Sequence, residues 1–408
     1  MLSVTKASLE KNIRLYTTYT ALSSTPFMLP VLVLLWENNG LNTYEIFILQ
    51  AIFALAIVLL EVPTGAIADV IGKKISLTIG NLLNLIGLFL YGNSYSFEGF
   101  LVAELVIAMG LALLSGSSAA FLYDNLKEIG QPEHYTKLAG RADSYSLIIT
   151  AISCLIGGII GDYSLRLTLY FSLVGPFIGF CIALQFREVH KSEKEFLSQL
   201  STYWSLIGEV GRFATKHKLV LWSLAFSSTL SASCGWLLWL YQPYMRECNL
   251  PIAAFGVIFA GFNLYAGFMS RQAHRVVRYL GKARTITLMM GLQILLLPLL
   301  VLFKLPYSFL FFLGQQTNRA FINPIINQWI LDHTYKDKRA TMLSLTGLGE
   351  KLFFAIGAPF IGIAGTRGSL DYAILAQVAI LFGLFTILLI TYQMIPRKYF
   401  IIKPSERF

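Results

Sequence analysis

The sequence predicts an all-α membrane protein of twelve transmembrane helices in two pseudo-symmetric six-helix bundles. Three observations carry that reading. The 408 residues are 56% hydrophobic and 13% charged, with mean hydropathy +0.64, against about 25% charged in a soluble domain. Apolar windows of the roughly 20 residues that a crossing helix needs recur about twelve times, centred near residues 25, 55, 84, 110, 150, 176, 230, 261, 294, 319, 352 and 382. One long polar interval, starting at Arg187, divides six windows from six.

The first apolar run is too long for a signal-peptide core and no small-residue cleavage site follows it, so it is expected to be the first span. Basic residues give the topology. Lys6, Lys11, Arg14, Lys73, Lys74, Lys127, Lys137, Arg141, segments 187–218 and 271–284, Lys336, Lys338, Arg339 and the C-terminal tail fall on one side, and Arg166, Arg246, Lys304 and Arg367 on the other. The positive-inside rule then makes both termini cytoplasmic in an inner (cytoplasmic) membrane. The net charge of +10 is accordingly a topology signal and argues against a nucleic-acid partner. Cys154, Cys181 and Cys234 fall in spans and Cys248 in an outer loop, so no disulfide framework is expected. The histidines, His134, His190, His217, His274 and His333, fall at loops or helix ends, so no metal, no cofactor and no intramembrane histidine relay is implied.

The central interval, 187–217, separates an N-terminal bundle (1–186) from a C-terminal one (218–408). Within it Phe196, Leu200, Tyr203, Ile207 and Val210 are spaced 4, 3, 4 and 3, the pattern of an amphipathic helix on the cytoplasmic membrane face. The halves echo each other weakly: "GAIADVIGKK" (65–74) ends the second span and "GFMSRQAHRVVRYLGKA" (267–283) the eighth. Such repeats build many secondary transporters.

At "GAIADVIGKKISL" the sequence resembles the major facilitator superfamily, whose signature after the second span is Gly-x-x-x-Asp-Arg-x-Gly-Arg-Lys. Gly65, Asp69, Gly72, Lys73 and Lys74 match it, Val70 replaces the first arginine, and Lys73 stands for the second. "LEVPTG" (60–65), "SGSSAAFLYD" (115–124) and "RATMLSLTGLGEKL" (339–352) look like bacterial exporter-like members. The six-plus-six layout extends the resemblance over essentially the whole chain. Two family marks are missing: the fourth span carries Glu104 but no arginine, and Gly157, Gly158 and Gly161 of the fifth stand without the antiporter proline.

Glu61, Gly65 and Asp69 share one helix face at i, i+4, i+8. The resemblance implies that this face meets the eleventh span, with Asp69 at a helix N-terminus near Lys338 or Arg339, closing the cytoplasmic side; a plain loop anchor is the alternative. Arg271 is read as the eighth-span counterpart of Asp69, and Asp143 as its partner in a second latch, against a surface pair of no consequence.

Arg319 falls in the middle of the tenth span, and Glu350 and Lys351 in the middle of the eleventh. A charge there costs at least about 2.5–3.5 kcal/mol on insertion scales, so each needs a partner or a watery cavity. Arg319 is either a staple to Glu350 or a substrate-facing cation among Gln315, Thr317, Asn318, Asn323 and Asn327, with Pro324 kinking the helix. A Glu61–Lys351 bridge fits their similar depth. Tyr16, Tyr19, Trp236, Gln242 and Asn263 would complete a cavity lining.

With no GxxxxGK[ST] phosphate loop, an ion gradient is the expected energy source, and Glu350, Glu61 and Glu104 are the candidate proton carriers. An enzyme is excluded because no nucleophile–base or metal constellation is present. The expectation is a monomeric, proton-coupled secondary transporter, working in the lipid bilayer on a small anionic or zwitterionic solute such as a carboxylate siderophore. The alternative is a multidrug/proton efflux antiporter.

Overall fold

A computed structural model describes residues 6–189, 196–335, 339–367 and 369–395, and its regular elements are all helices. Expectations for His190, Lys336, Lys338 and the C-terminal tail fall outside these residues. The first half contains α1 (Lys6–Leu22), α2 (Leu32–Asn38), α3 (Thr43–Ile71), α4 (Lys73–Gly92), α5 (Phe97–Glu128), α6 (Tyr135–Tyr163), α7 (Leu165–Ser172) and α8 (Val174–Gln185). The predicted interfacial helix follows as α9 (Phe196–Lys216). The second half contains α10 (Lys218–Glu247), α11 (Ile252–Leu280), α12 (Lys282–Leu302), α13 (Phe312–Phe321), α14 (Gln328–Asp332), α15 (Arg339–Thr366) and α16 (Leu370–Gln393).

Among the described residues, nine helical stretches are long and apolar enough to cross a membrane, α7 and α8 counting as one. The other three predicted spans depart from that pattern for visible reasons. At the first, Pro26 and Pro30 withhold backbone donors, and the chain leaves the helix between α1 and α2. The seventh, α10, has 30 residues, but a run of Ser227, Ser228, Thr229, Ser231 and Ser233 lowers its hydropathy, and all five are buried. The tenth is broken: a 3₁₀ turn at Ser308–Phe311, then α13, a π-helical stretch at Ile322–Asn327, and α14. Pro324 lies in the π stretch, where a missing N–H interrupts the α ladder.

The broken first span is seated by glycines that the sequence reading assigned to an incomplete antiporter motif. A Cβ at Gly157 on α6 would stand 2.0 Å from the carbonyl oxygen of Phe27, and one at Gly161 would stand 2.8 Å from Val31. The backbone of the break therefore lies directly on α6.

The chain forms two compact units. One comprises Met1–Leu41, Ile52–Tyr203 and Leu250–Leu264, the other Asn42–Ala51, Trp204–Asn249 and Tyr265–Phe408. In the first, α4 packs on α5 and α8 around a core that includes Tyr16, Tyr19, Leu77, Phe121 and Phe186. In the second, α10 is central and packs on α15 and α16.

The halves share one local device. α3 and α11 each have 29 residues and end one residue before a glycine in the left-handed region, Gly72 (φ 101°) and Gly281 (φ 76°), a conformation that costs glycine nothing. Counting back from these glycines corrects the sequence-based register. Asp69 corresponds to Arg278 rather than to Arg271, because α11 runs unbroken through Arg271 to Leu280 where a loop was expected.

Gly157→Ala should lower the unfolding temperature of the purified protein, because overpacking costs about 1–3 kcal/mol. Gly383→Ala, with nothing within 4 Å, should leave it unchanged; nanoscale fluorimetry on both reads the difference.

Candidate functional site

In the second unit, α13 is buried on most of its surface. Its polar side chains are used in bonds between helices: Gln315 Nε2 donates to the Cys234 carbonyl (2.7 Å), Gln316 Nε2 to the Tyr241 hydroxyl (3.0 Å), and Asn318 Nδ2 to the Met289 carbonyl (2.9 Å). The Thr317 and Tyr265 hydroxyls meet at 2.9 Å. The polarity that the sequence presents around Arg319 is thus largely packing polarity. Buried amides need such partners, since an unmade bond in the interior costs more than a made one contributes.

Arg319 is different. It is exposed, as is Asn323 one turn on, and Asn327, half-buried, donates from Nδ2 to Asn323 Oδ1 at 2.7 Å. These three are spaced i, i+4, i+8 along the broken helix, whose α13 segment is otherwise largely buried. Arg319 Nη1 also donates to Gln316 Oε1 (3.2 Å). Glu350 on α15 is likewise exposed, and its carboxylate lies near Ser231 of α10. Arg319 and Glu350 both lie within electrostatic reach of Cys234. Their opposite charges therefore share one region of the unit. The neighbouring Lys351, half-buried, approaches the Gly347 carbonyl at 3.4 Å.

The remaining expected liners are packed inside their own units. Trp236 Nε1 donates to the Phe354 carbonyl (2.9 Å), and Gln242 is buried. Asn263 Nδ2 donates to the Phe259 carbonyl (2.9 Å). Tyr16 pairs with Ser118 (3.1 Å), and the Tyr19 hydroxyl accepts from Asn81 (2.9 Å). Among the carboxylates, Glu61 is half-buried on α3, while Glu104 is buried and accepts from the Tyr91 hydroxyl (3.1 Å), which accepts from Trp36 Nε1 (2.5 Å). Asp143 and Arg271 are each exposed on their own helices.

The glycine–aspartate end of α3 has partners that sequence reasoning did not identify. The Tyr203 hydroxyl, from α9, donates to Asp69 Oδ2 (2.9 Å), and its ring lies 3.5 Å from where a Cβ on Gly65 would stand. Tyr203 was visible only as one member of the apolar stripe of α9. At the start of α4, Glu188 accepts from the backbone N–H of Lys73 (3.1 Å) and Lys74 (2.9 Å). A carboxylate is favoured there by the helix dipole, and Lys73 Nζ pairs with Asp124 of α5. No group of His, Cys, Asp and Glu able to hold a metal ion occurs among the described residues.

Residues 16–358 match the sequence profile of the Major Facilitator Superfamily. The chain belongs to this superfamily. Superfamily members are transporters, not enzymes, so the chain is a multi-pass membrane protein and a secondary transporter of a small solute. It is similar to the uncharacterised MFS-type transporter MJ1560 of Methanocaldococcus jannaschii, 21% identical over 280 residues covering 67% of this chain and 70% of that one. Its fold is similar to that of an aspartate-to-alanine mutant of the nucleoside transporter NupG, with TM-score 0.75 and 12% identity over 95% of this chain and 99% of that one. It is also similar to a POT family transporter in complex with 5-aminolevulinic acid, with TM-score 0.69 and 14% identity over 94% and 96% of the two chains.

In this superfamily member the signature aspartate is held by the linker helix. Burial first, then the charge of Asp69 and the hydrogen bond to it, push the Tyr203 phenol above its usual ionisation range. A raised folded-state value means that the contact contributes fully below about pH 10 and is lost as pH rises through the shifted value. Tyr203→Phe should speed amide exchange in 65–70 and 200–206 about tenfold, the loss of one charge-assisted bond of about 1.5 kcal/mol. Alkaline release of α9 should be seen in wild type and be absent from the variant.

Proposed function

We propose that this transporter carries a small organic anion or zwitterion by alternating access, with Arg319 holding the carboxylate or phosphate of the solute. One observation carries the reading: Arg319 and Asn323 are exposed on a broken helix whose polar residues just before them, Gln315, Gln316, Thr317 and Asn318, are all buried. A guanidinium fork matches a carboxylate or phosphate in two parallel bonds. Pro324 and the π stretch at 322–327 place irregular backbone beside it, which is tolerated at membrane depth where it is buried in protein or lines a cavity.

Glu350, also exposed and in the same region, is the proposed proton carrier. Superfamily members are often proton-coupled, and protonation of a carboxylate near a cationic solute anchor would alter the anchor's field. Glu61 and Glu104 are secondary candidates, and Glu104 already has a hydrogen-bond donor in Tyr91. At the signature end, Gly65, Asp69, Gly72, Lys73 and Lys74 form the proposed gating element, with Arg271, Asp143 and Lys351 as further gating candidates. Both termini are assigned to the cytoplasm from the distribution of basic residues. The bound 5-aminolevulinic acid of the POT neighbour carries an amine and a carboxylate, the chemistry proposed for this solute.

The multidrug reading draws on aromatic lining. Trp236, Tyr16 and Tyr19 are buried in helix packing, which favours the anionic reading over it.

A thermal-shift panel of polycarboxylates, amino acids, sugar phosphates and lipophilic cations tests the assignment. A carboxylate or phosphate at about 100 times its Kd should stabilise wild type by about 2.7 kcal/mol and leave Arg319→Gln unshifted. Equal stabilisation of both proteins by lipophilic cations would favour the multidrug reading.

A further inference from the structure

The two halves start their helical hairpins alike and cap them differently. In the first, the N-terminus of α4 follows Gly72, and the Glu188 carboxylate accepts its backbone donors. In the second, α12 follows Gly281, and among the described residues no side chain accepts from its first backbone donors. The position that supplies Glu188 in the first half holds no acid in the second. Glu188 comes three residues after α8 ends at Gln185, whereas the third residue after α16 ends at Gln393 is Pro396, followed by Arg397 and Lys398.

The uncapped end lies within a dense cluster of cations. Arg271, Arg275 and Arg278 occupy the last turns of α11, Lys282 and Arg284 the first turn of α12, and all five are exposed. No aspartate or glutamate occurs between Glu247 and Asp332. Arg275 donates to the uncharged Gln272 (3.1 Å), and Lys282 lies 5.3 Å above the Trp329 ring. Among the described residues, none of the five is in a salt bridge.

Tyr279 projects from this cluster with 90% of its surface exposed, the adjacent Leu280 is exposed, and Phe268 is exposed three turns back along α11, about 16 Å away. Both helices are apolar enough to cross a membrane, so the cluster sits at the end of two spans. Protruding tyrosine is characteristic of the membrane–water boundary.

We propose that the α11–α12 turn binds the phosphate of an anionic membrane phospholipid, which does for α12 what Glu188 does for α4. The chemistry is complementary at each point. Guanidinium groups take phosphate oxygens in pairs, free N–H groups at a helix start add to the attraction, and a cluster of four or more basic residues next to a span draws anionic lipid. The exposed Tyr279, Leu280 and Phe268 favour a lipid over free phosphate because they offer contacts to glycerol and acyl chain.

Delipidated full-length protein titrated with phosphatidylglycerol, with phosphatidylcholine of the same acyl chains and with inorganic phosphate, read by native mass spectrometry, tests this. Phosphatidylglycerol should bind at least tenfold more tightly than phosphatidylcholine. The variant R275Q/R278Q/K282Q/R284Q should remove that preference and keep its phosphatidylcholine binding. Equal binding of the two lipids to wild type, or an unchanged preference in the variant, overturns the proposal, as does displacement of phosphatidylglycerol by equimolar inorganic phosphate. A photoactivatable phosphatidylglycerol on wild type gives a reading independent of variant folding: label within 268–284 supports the site, and label only elsewhere overturns it.

Discussion

An arginine in the middle of a membrane-crossing helix must meet water, a counter-charge or a ligand, because hydrocarbon imposes a cost of at least about 2.5–3.5 kcal/mol. The features around Arg319 follow from that constraint. The helix that carries it is not a regular span: it begins with a 3₁₀ turn and passes through a π stretch at Pro324. Gln315, Gln316, Thr317 and Asn318, the polar residues just before Arg319, are tied to α10, α11 and α12, through Cys234, Tyr241, Tyr265 and Met289. Such ties hold a weakly apolar segment inside a bundle and leave Arg319 and Asn323 as its exposed polar groups.

The hydropathy pattern made the helical membrane fold legible, because long apolar windows and one-sided basic residues are collective signals that survive local irregularity. Breaks were less legible. Pro26 and Pro30 are visible in the sequence, but that the break rests on Gly157 depends on which helix lies beside it. Register was misread for the same reason: "GFMSRQAHRVVRYLGK" contains two glycines and three arginines, and only the continuous helix to Leu280 shows that Arg278 takes the place of Asp69.

At the site, Arg319 could be singled out from sequence because a charge contradicts its surroundings. The amides next to it could not be sorted, since a buried glutamine bonded to a carbonyl and an exposed one awaiting a solute look identical in a sequence. Tyr203 and Glu188 were hidden for another reason. Each acts on residues more than a hundred positions away, and pairing at that range carries no local pattern.

The two halves use one hairpin geometry with opposite charge. Asp69 and Glu188 make the first hairpin end partly acidic and internally satisfied, whereas Arg278, Lys282 and Arg284 leave the second cationic and open. Internal repeats of a transporter need the same backbone to rock about a common site, but their side chains are free to diverge where the surroundings differ.

The central claim, that Arg319 faces a solute path, is tested most directly by replacing it with cysteine in a background lacking the four native cysteines, and treating membranes with a water-soluble, charged thiol reagent. The account predicts rapid modification of the cysteine at 319, slowed by an anionic solute that wild type binds. A cysteine that stays unmodified, or reacts at a rate no anionic solute changes, would contradict it.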